Sequence, residues 1–224
     1  MGGQACVLYG AAEFSRDTDF AILAEETNLL SFSKALKSLQ ATCIAVPPFE
    51  RNYLEAGHAI HFRSQHPEAK GMRIDIMSKL RGVEDFNILW ERRTTFELQE
   101  HLIDVLSLPD LIQAKKTQRD KDWPMIRRLV EAHYIQNKLN PNEAQIRFWL
   151  QEARTPEILL SIAQSNQQIA EALSTIRPLL KEILNSSLET IQLHLNAEEQ
   201  KIRALDQCYW IPLKKELEFL RHQK

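Results

Sequence analysis

The chain of 224 residues carries 28 Lys and Arg against 30 Asp and Glu, a formal net charge of −2, which argues against nucleic acid as an obligatory, charge-driven partner. Its hydrophobic fraction of 44% and charged fraction of 26% are those of a globular protein that can bury a core without staples. Three scattered cysteines (Cys6, Cys43, Cys208) show neither disulfide nor metal spacing, no apolar run approaches the ~20 residues of a membrane span, and Met1-Gly-Gly-Gln-Ala lacks a charged region followed by an apolar one, so a cytoplasmic protein without signal peptide or membrane partner is expected.

All six glycines lie within the first 82 residues. After Gly2-Gly3 the spacing allows a short helix from Gln4 to Gly10, leading into a strand at Asp17 to Ala24. Asn28 to Ala41 has helical periodicity, with Leu29, Phe32, Leu36 and Leu39 on one face. Cys43 to Val46 reads as a short strand stopped by Pro47-Pro48. His58 to Arg63 and Met72 to Met77 flank a turn-like His-Pro-Glu-Ala-Lys-Gly stretch and predict a hairpin. A helix around Val83 to Arg93 and a strand at Leu102 to Leu106 complete a mixed α+β (α/β) pattern.

From about residue 107 the chain lacks glycine and reads as helical. Ser107-Leu-Pro-Asp110 has capping-box-like start chemistry with proline in the first turn. Asn140-Pro-Asn-Glu143 and Thr155-Pro-Glu157 repeat it. Pro178 and Pro212 are expected to kink or break the stretch from Ile169 to the end. The expected division is a mixed domain over 1–135 and a helical region over 136–224.

Asp17 and Asp19 are two apart on a predicted strand, so both side chains leave one face, with Cα atoms roughly 6.6 Å apart. In Arg73-Ile-Asp-Ile-Met77, Ile74 and Ile76 can face a core while Asp75 points the other way. If the two strands are neighbours, three carboxylates converge and repel one another. A divalent cation with oxygen ligands relieves that repulsion, Mg²⁺ being the natural choice beside phosphates. Two such ions about 3.5–4 Å apart would clamp a phosphoryl-type transfer. Upstream, glycines let the backbone approach a polyphosphate closely.

Gly2-Gly3-Gln-Ala, Tyr9-Gly10 and Arg16-Asp-Thr-Asp-Phe20 resemble the Gly-Gly/Asp-x-Asp motif of the nucleotidyltransferase superfamily, in its bacterial minimal and AbiEii-toxin-like branch. Arg73-Ile-Asp-Ile-Met77 is similar to the family's third-carboxylate strand. Val105 to Lys115 is similar to its strand-to-helix segment ending in lysine, and Arg119-Asp-Lys-Asp122 to the element that follows. The resemblance covers roughly residues 2 to 130. It implies that Gly2 and Gly3 contact a nucleoside triphosphate and that Asp17 and Asp19 bind Mg²⁺. Asp75 would bind metal or act as base, Lys115 would touch phosphate, and Asp122 would support the site. The implied activity is transfer of a nucleoside monophosphate to a protein, RNA or small-molecule acceptor, as a toxin–antitoxin component, with an antitoxin or other protein held by the C-terminal helices. The alternative is an inactive nucleotide-binding or interacting relative. The family carries a helix and an apolar strand before its glycine pair, where only Met1 precedes it here, so the glycine turn is expected to lack its usual anchor.

Plainer roles compete at each position. Asp17 and Asp19 could end a strand at a turn, Asp75 could pair with Arg73, and Asp104 is a rival third carboxylate. Lys115 lies in a basic run with Lys116, Arg119 and Lys121, and Asp122 before Trp123-Pro124 suits a helix cap. His58 and His61, three apart on a predicted strand, face opposite sides and make no metal pair.

Overall fold

The computed structural model describes residues 1–223 of a mixed α+β protein. It has two compact units, residues 1–115 with the end of the chain from Gln207, and residues 116–206. The boundary expected near 135 falls inside a helix, and the division comes 20 residues earlier, directly after Lys115.

In the first unit, α1 (Gly2–Leu8), β1 (Asp17–Ala21), α2 (Glu26–Ser38), β2 (Thr42–Cys43), β3 (Ile60–Arg63) and β4 (Arg73–Met77) follow the expected order, with a further helix, α3 (Arg51–Ala56), between β2 and β3 that was not expected. The strands form a sheet in the order β1-β4-β3-β2, with β1 parallel to β4 and the remaining pairs antiparallel. The anticipated β3–β4 hairpin is present. A 3-10 turn at Pro67–Ala69 and a left-handed Gly71, whose N–H donates to the Ser64 carbonyl at 2.8 Å, reverse the chain between its strands.

Alternation along these strands decides what each face does. Ile60, Phe62, Ile74 and Ile76 point one way and are buried with Ile22, Leu36 and Leu54, while Leu29, Phe32 and Phe49 pack against them. These are the apolar positions that made α2 periodic. The intervening residues, Asp17 and Asp19 on β1, Arg73 and Asp75 on β4, and His61 and Arg63 on β3, share the opposite face.

The chain then forms α4 (Phe86–Glu91), β5 (Thr94–Leu98), β6 (His101–Val105) and α5 (Leu108–Lys115). β5 and β6 are a two-stranded hairpin of their own. Ser107 caps α5, its hydroxyl accepting from the Asp110 N–H at 3.3 Å. Asp110 is buried, and Arg92 grips it with two bonds of 2.7 and 2.6 Å. The Tyr9 hydroxyl ties α1 to this region through Thr94 and the Leu106 carbonyl, both at 2.8 Å.

The second unit holds α6 (Asp122–Asn137), α7 (Glu143–Glu152), α8 (Pro156–Ser165), α9 (Gln167–Leu173) and the start of α10 (Leu188–His222). The Asn142/Gln145 pair closes a reciprocal capping box on α7, so the helix start expected at Asn140-Pro-Asn-Glu143 is present with its box two residues further on. At the other end of α7, the buried Arg177 guanidinium donates to the Leu150 and Ala153 carbonyls and to Glu198. Such donors replace the hydrogen bonds that a helix C-terminus leaves unmade. Pro178 opens a 3-10 turn after α9, as expected of a breaker. Pro212, in contrast, lies inside α10 without ending it. In the first unit Leu213 is buried, and it and the Tyr209 hydroxyl lie against Gly57. That packing offsets the bond a helical proline forfeits.

Candidate functional site

Parallel pairing of β1 with β4 sets Asp19 directly opposite Asp75 and Asp17 opposite Arg73. The expectation that these strands are neighbours is met, and all four side chains leave the polar face. Asp17 is one rung from the Asp19–Asp75 pair. Among the described residues no group of three or more His, Cys, Asp or Glu side chains is drawn together in a form that would hold a metal ion. The structure therefore brings Asp19 and Asp75 together and places Asp17 beside them.

The two carboxyls have opposite electrostatics. Burial, and then the charge of Asp75, pushes the Asp19 carboxyl up from its ordinary range, against the Gly3 N–H and the Lys115 ammonium. For Asp75, burial alone would do the same, but hydrogen bonds from His61 and Arg73 overcome it and hold the carboxyl down. Both bonds, His61 Nδ1 at 2.8 Å and Arg73 Nε at 2.8 Å, end on Oδ1. Oδ2 of Asp75 and Oδ1 of Asp19 have no hydrogen-bond partner among the described residues, and Asp19 Oδ2 accepts only a long 3.4 Å bond from Gly3 N. A pair of in-register carboxylates, each with an unpartnered oxygen and one strained by its neighbour's charge, fits a hard divalent cation.

Gly2 and Gly3 pack against this corner. A Cβ on Gly2, where φ is +72°, would meet Asp19 Oδ2 at 1.8 Å, and one on Gly3 would meet Ser15 Oγ at 2.3 Å. Only glycine allows α1 to approach β1 so closely. The Met1 nitrogen donates to the Asp19 carbonyl at 2.8 Å, so main-chain bonding holds the glycine turn to β1. Lys115, at the end of α5, stands near enough to act on Asp19 electrostatically. Gly2, Gly3, Asp17, Asp19, Asp75 and Lys115 thus lie in one unit.

Asp122 lies in the other unit. Its buried carboxylate accepts from Thr117 Oγ1 at 2.6 Å and Arg119 Nε at 2.7 Å, closing the turn that starts α6. Asp104 is on β6, bonded to Thr95 and Arg93. It lines a cleft with Met1, Phe20, Ala21, Phe86, Leu89 and Trp90. His58 precedes β3, buried, with Nε2 2.7 Å from Glu216. The residue whose contact sequence reasoning did not foresee is His61, weighed there only as a metal ligand. Its partner, Asp75, follows from the β3–β4 register, which the hairpin prediction contained without fixing.

Among the described residues, no helix is long and apolar enough to cross a membrane. Comparison of the chain with protein-family models, with curated proteins and with solved structures gives no match in any of the three.

Proposed function

We propose that the first unit is a Mg²⁺-dependent nucleotidyltransferase, which moves a nucleoside monophosphate from a nucleoside triphosphate to an acceptor hydroxyl and releases pyrophosphate. The observation that carries this reading is the placement of Asp19 opposite Asp75 on adjacent parallel strands, with Gly2 packed on the Asp19 carboxylate. The motif resemblance supplies the chemistry, and the electrostatics of the face agree with it.

In this account Asp19 and Asp75, with Asp17 beside them, hold the cation, which when bound neutralises charge on the triphosphate and its leaving group. Gly2 and Gly3 keep side chains out of the space beside Asp19, so a polyphosphate can approach the backbone. Lys115 adds a positive charge on the same side. Arg73 and His61 fix Asp75 in place. Asp122 keeps a supporting role, holding the turn after Lys115. Catalysis rests on positioning and charge neutralisation more than on covalent chemistry. The helical second unit offers surface for a protein partner, an antitoxin in the toxin–antitoxin version of this reading.

The test is transfer of label from each α-³²P-labelled nucleoside triphosphate, with Mg²⁺, into a cell extract afterwards separated into RNA, protein and small molecules. Label entering one fraction with wild type and not with Asp19→Ala supports the reading. No label in any fraction, from a folded protein, contradicts it and favours the non-catalytic, interacting relative.

A further inference from the structure

We infer that His61 is a positioning residue for the cation site: its Nδ1–H holds Oδ1 of Asp75 and so leaves Oδ2 for the cation. This rests on the cation-binding reading above.

The geometry fixes the direction of the bond. An ionised carboxylate only accepts, so at 2.8 Å the His61 Nδ1 must carry the proton. Arg73 Nη2 lies 3.2 Å from the same Nδ1. With that proton in place Nδ1 has no lone pair to accept from Arg73, so the 3.2 Å approach is a contact between two donors and not a hydrogen bond. Both groups converge on Oδ1 instead, Arg73 through Nε at 2.8 Å. With two donors on one oxygen, rotation of the Asp75 carboxylate is stopped and the other oxygen is left for a ligand.

The two donors are unequal. The Arg73 side chain is 41% exposed and long, whereas that of His61 is 25% exposed and projects from the strand paired with β4, directly opposite Asp75. A short ring on a central strand loses less rotamer freedom in making its bond than the long Arg73 side chain, so it sets the carboxylate angle more firmly. Nε2 of His61 has no partner among the described residues, so the ring is tied only at the Asp75 end. This arrangement matches the general case in which an outer hydrogen bond orients a ligand to a metal.

The test uses Mn²⁺ as a spectroscopic stand-in for Mg²⁺, with binding measured by electron paramagnetic resonance and no substrate present. His61→Leu removes the donor, and His61→Asn restores an N–H at nearly the place of Nδ1. His61→Leu is expected to weaken Mn²⁺ binding by about 10-fold or more, while His61→Asn recovers most of it. His61→Gln, whose N–H reaches beyond Oδ1, behaves like His61→Leu and serves if the leucine variant does not fold. Equal Mn²⁺ affinity in wild type and in the folded donor-less variant overturns the role of His61 and leaves the cation site standing. A folded wild type that binds no Mn²⁺ at millimolar concentration overturns both.

Discussion

Asp19 and Asp75 face each other across the β1–β4 ladder, yet the protein treats their charges in opposite ways. Asp75 is satisfied by His61 and Arg73, whereas Asp19 beside it has a long Gly3 N–H bond and the charges of the Met1 nitrogen and Lys115. Under the proposed function, a bound cation would relieve that imbalance.

The first consequence concerns Asp19. Its folded carboxyl is raised above the unfolded value of about 3.9, so the native state binds the extra proton. Stability linked to this group is complete below about pH 3.9 and is lost as pH rises through the raised folded value. Asp19→Asn is therefore expected to melt higher than wild type at neutral pH in metal-free buffer, with the gain vanishing toward pH 3. Thermal melts across that range check this, and a lower melting temperature at pH 7 would contradict it.

Asp75 has the reverse sign. Its folded carboxyl is depressed by His61 and Arg73 against the effect of burial, so its contribution is present above about pH 3.9 and is lost as pH falls through the lower folded value. Asp75→Asn should cost on the order of 1–2 kcal/mol at pH 7. Urea denaturation at pH 7 and pH 3 should find that cost shrinking at the lower pH.

The two faces of β4 should respond differently to truncation. Ile76 is fully buried in the core under the sheet, so Ile76→Ala is expected to cost about 2–5 kcal/mol without altering Mn²⁺ affinity in the protein that remains folded. Asp75→Ala should abolish that affinity at a smaller cost in stability. Paired denaturation and metal titrations separate the two effects.

Gly57 tests how the end of α10 joins the first unit. With φ at +102°, and with Tyr209 Oη 2.7 Å from where a Cβ would stand, Gly57→Ala should destabilise by roughly 1–3 kcal/mol. Relaxing the contact with Tyr209→Phe should recover part of that loss, which a double-mutant cycle measures.

Much of this architecture was legible because it lies in local periodicity. The alternation of Arg73-Ile-Asp-Ile-Met77 separated core from site, and the helical stripe of α2 found its core face. β5 was missed although Thr94-Thr-Phe-Glu-Leu98 has strand-forming residues. Its two-residue turn, Gln99-Glu100, lacks the glycine or asparagine that announces a hairpin, and Gln99 takes φ +56° unaided. The course of α10 through Pro212 depends on packing around Gly57, which no sequence window contains. The pairing of His61 with Asp75 needed strand register, a property of two segments separated by a nine-residue connection.

The most direct test of the central claim is calorimetric titration of each nucleoside triphosphate, with and without Mg²⁺, into wild type and into Asp17→Ala/Asp19→Ala. The account predicts Mg²⁺-dependent binding of at least one triphosphate to wild type, abolished by the double substitution. Absence of binding to folded wild type, or binding that neither Mg²⁺ nor the double substitution alters, would contradict it.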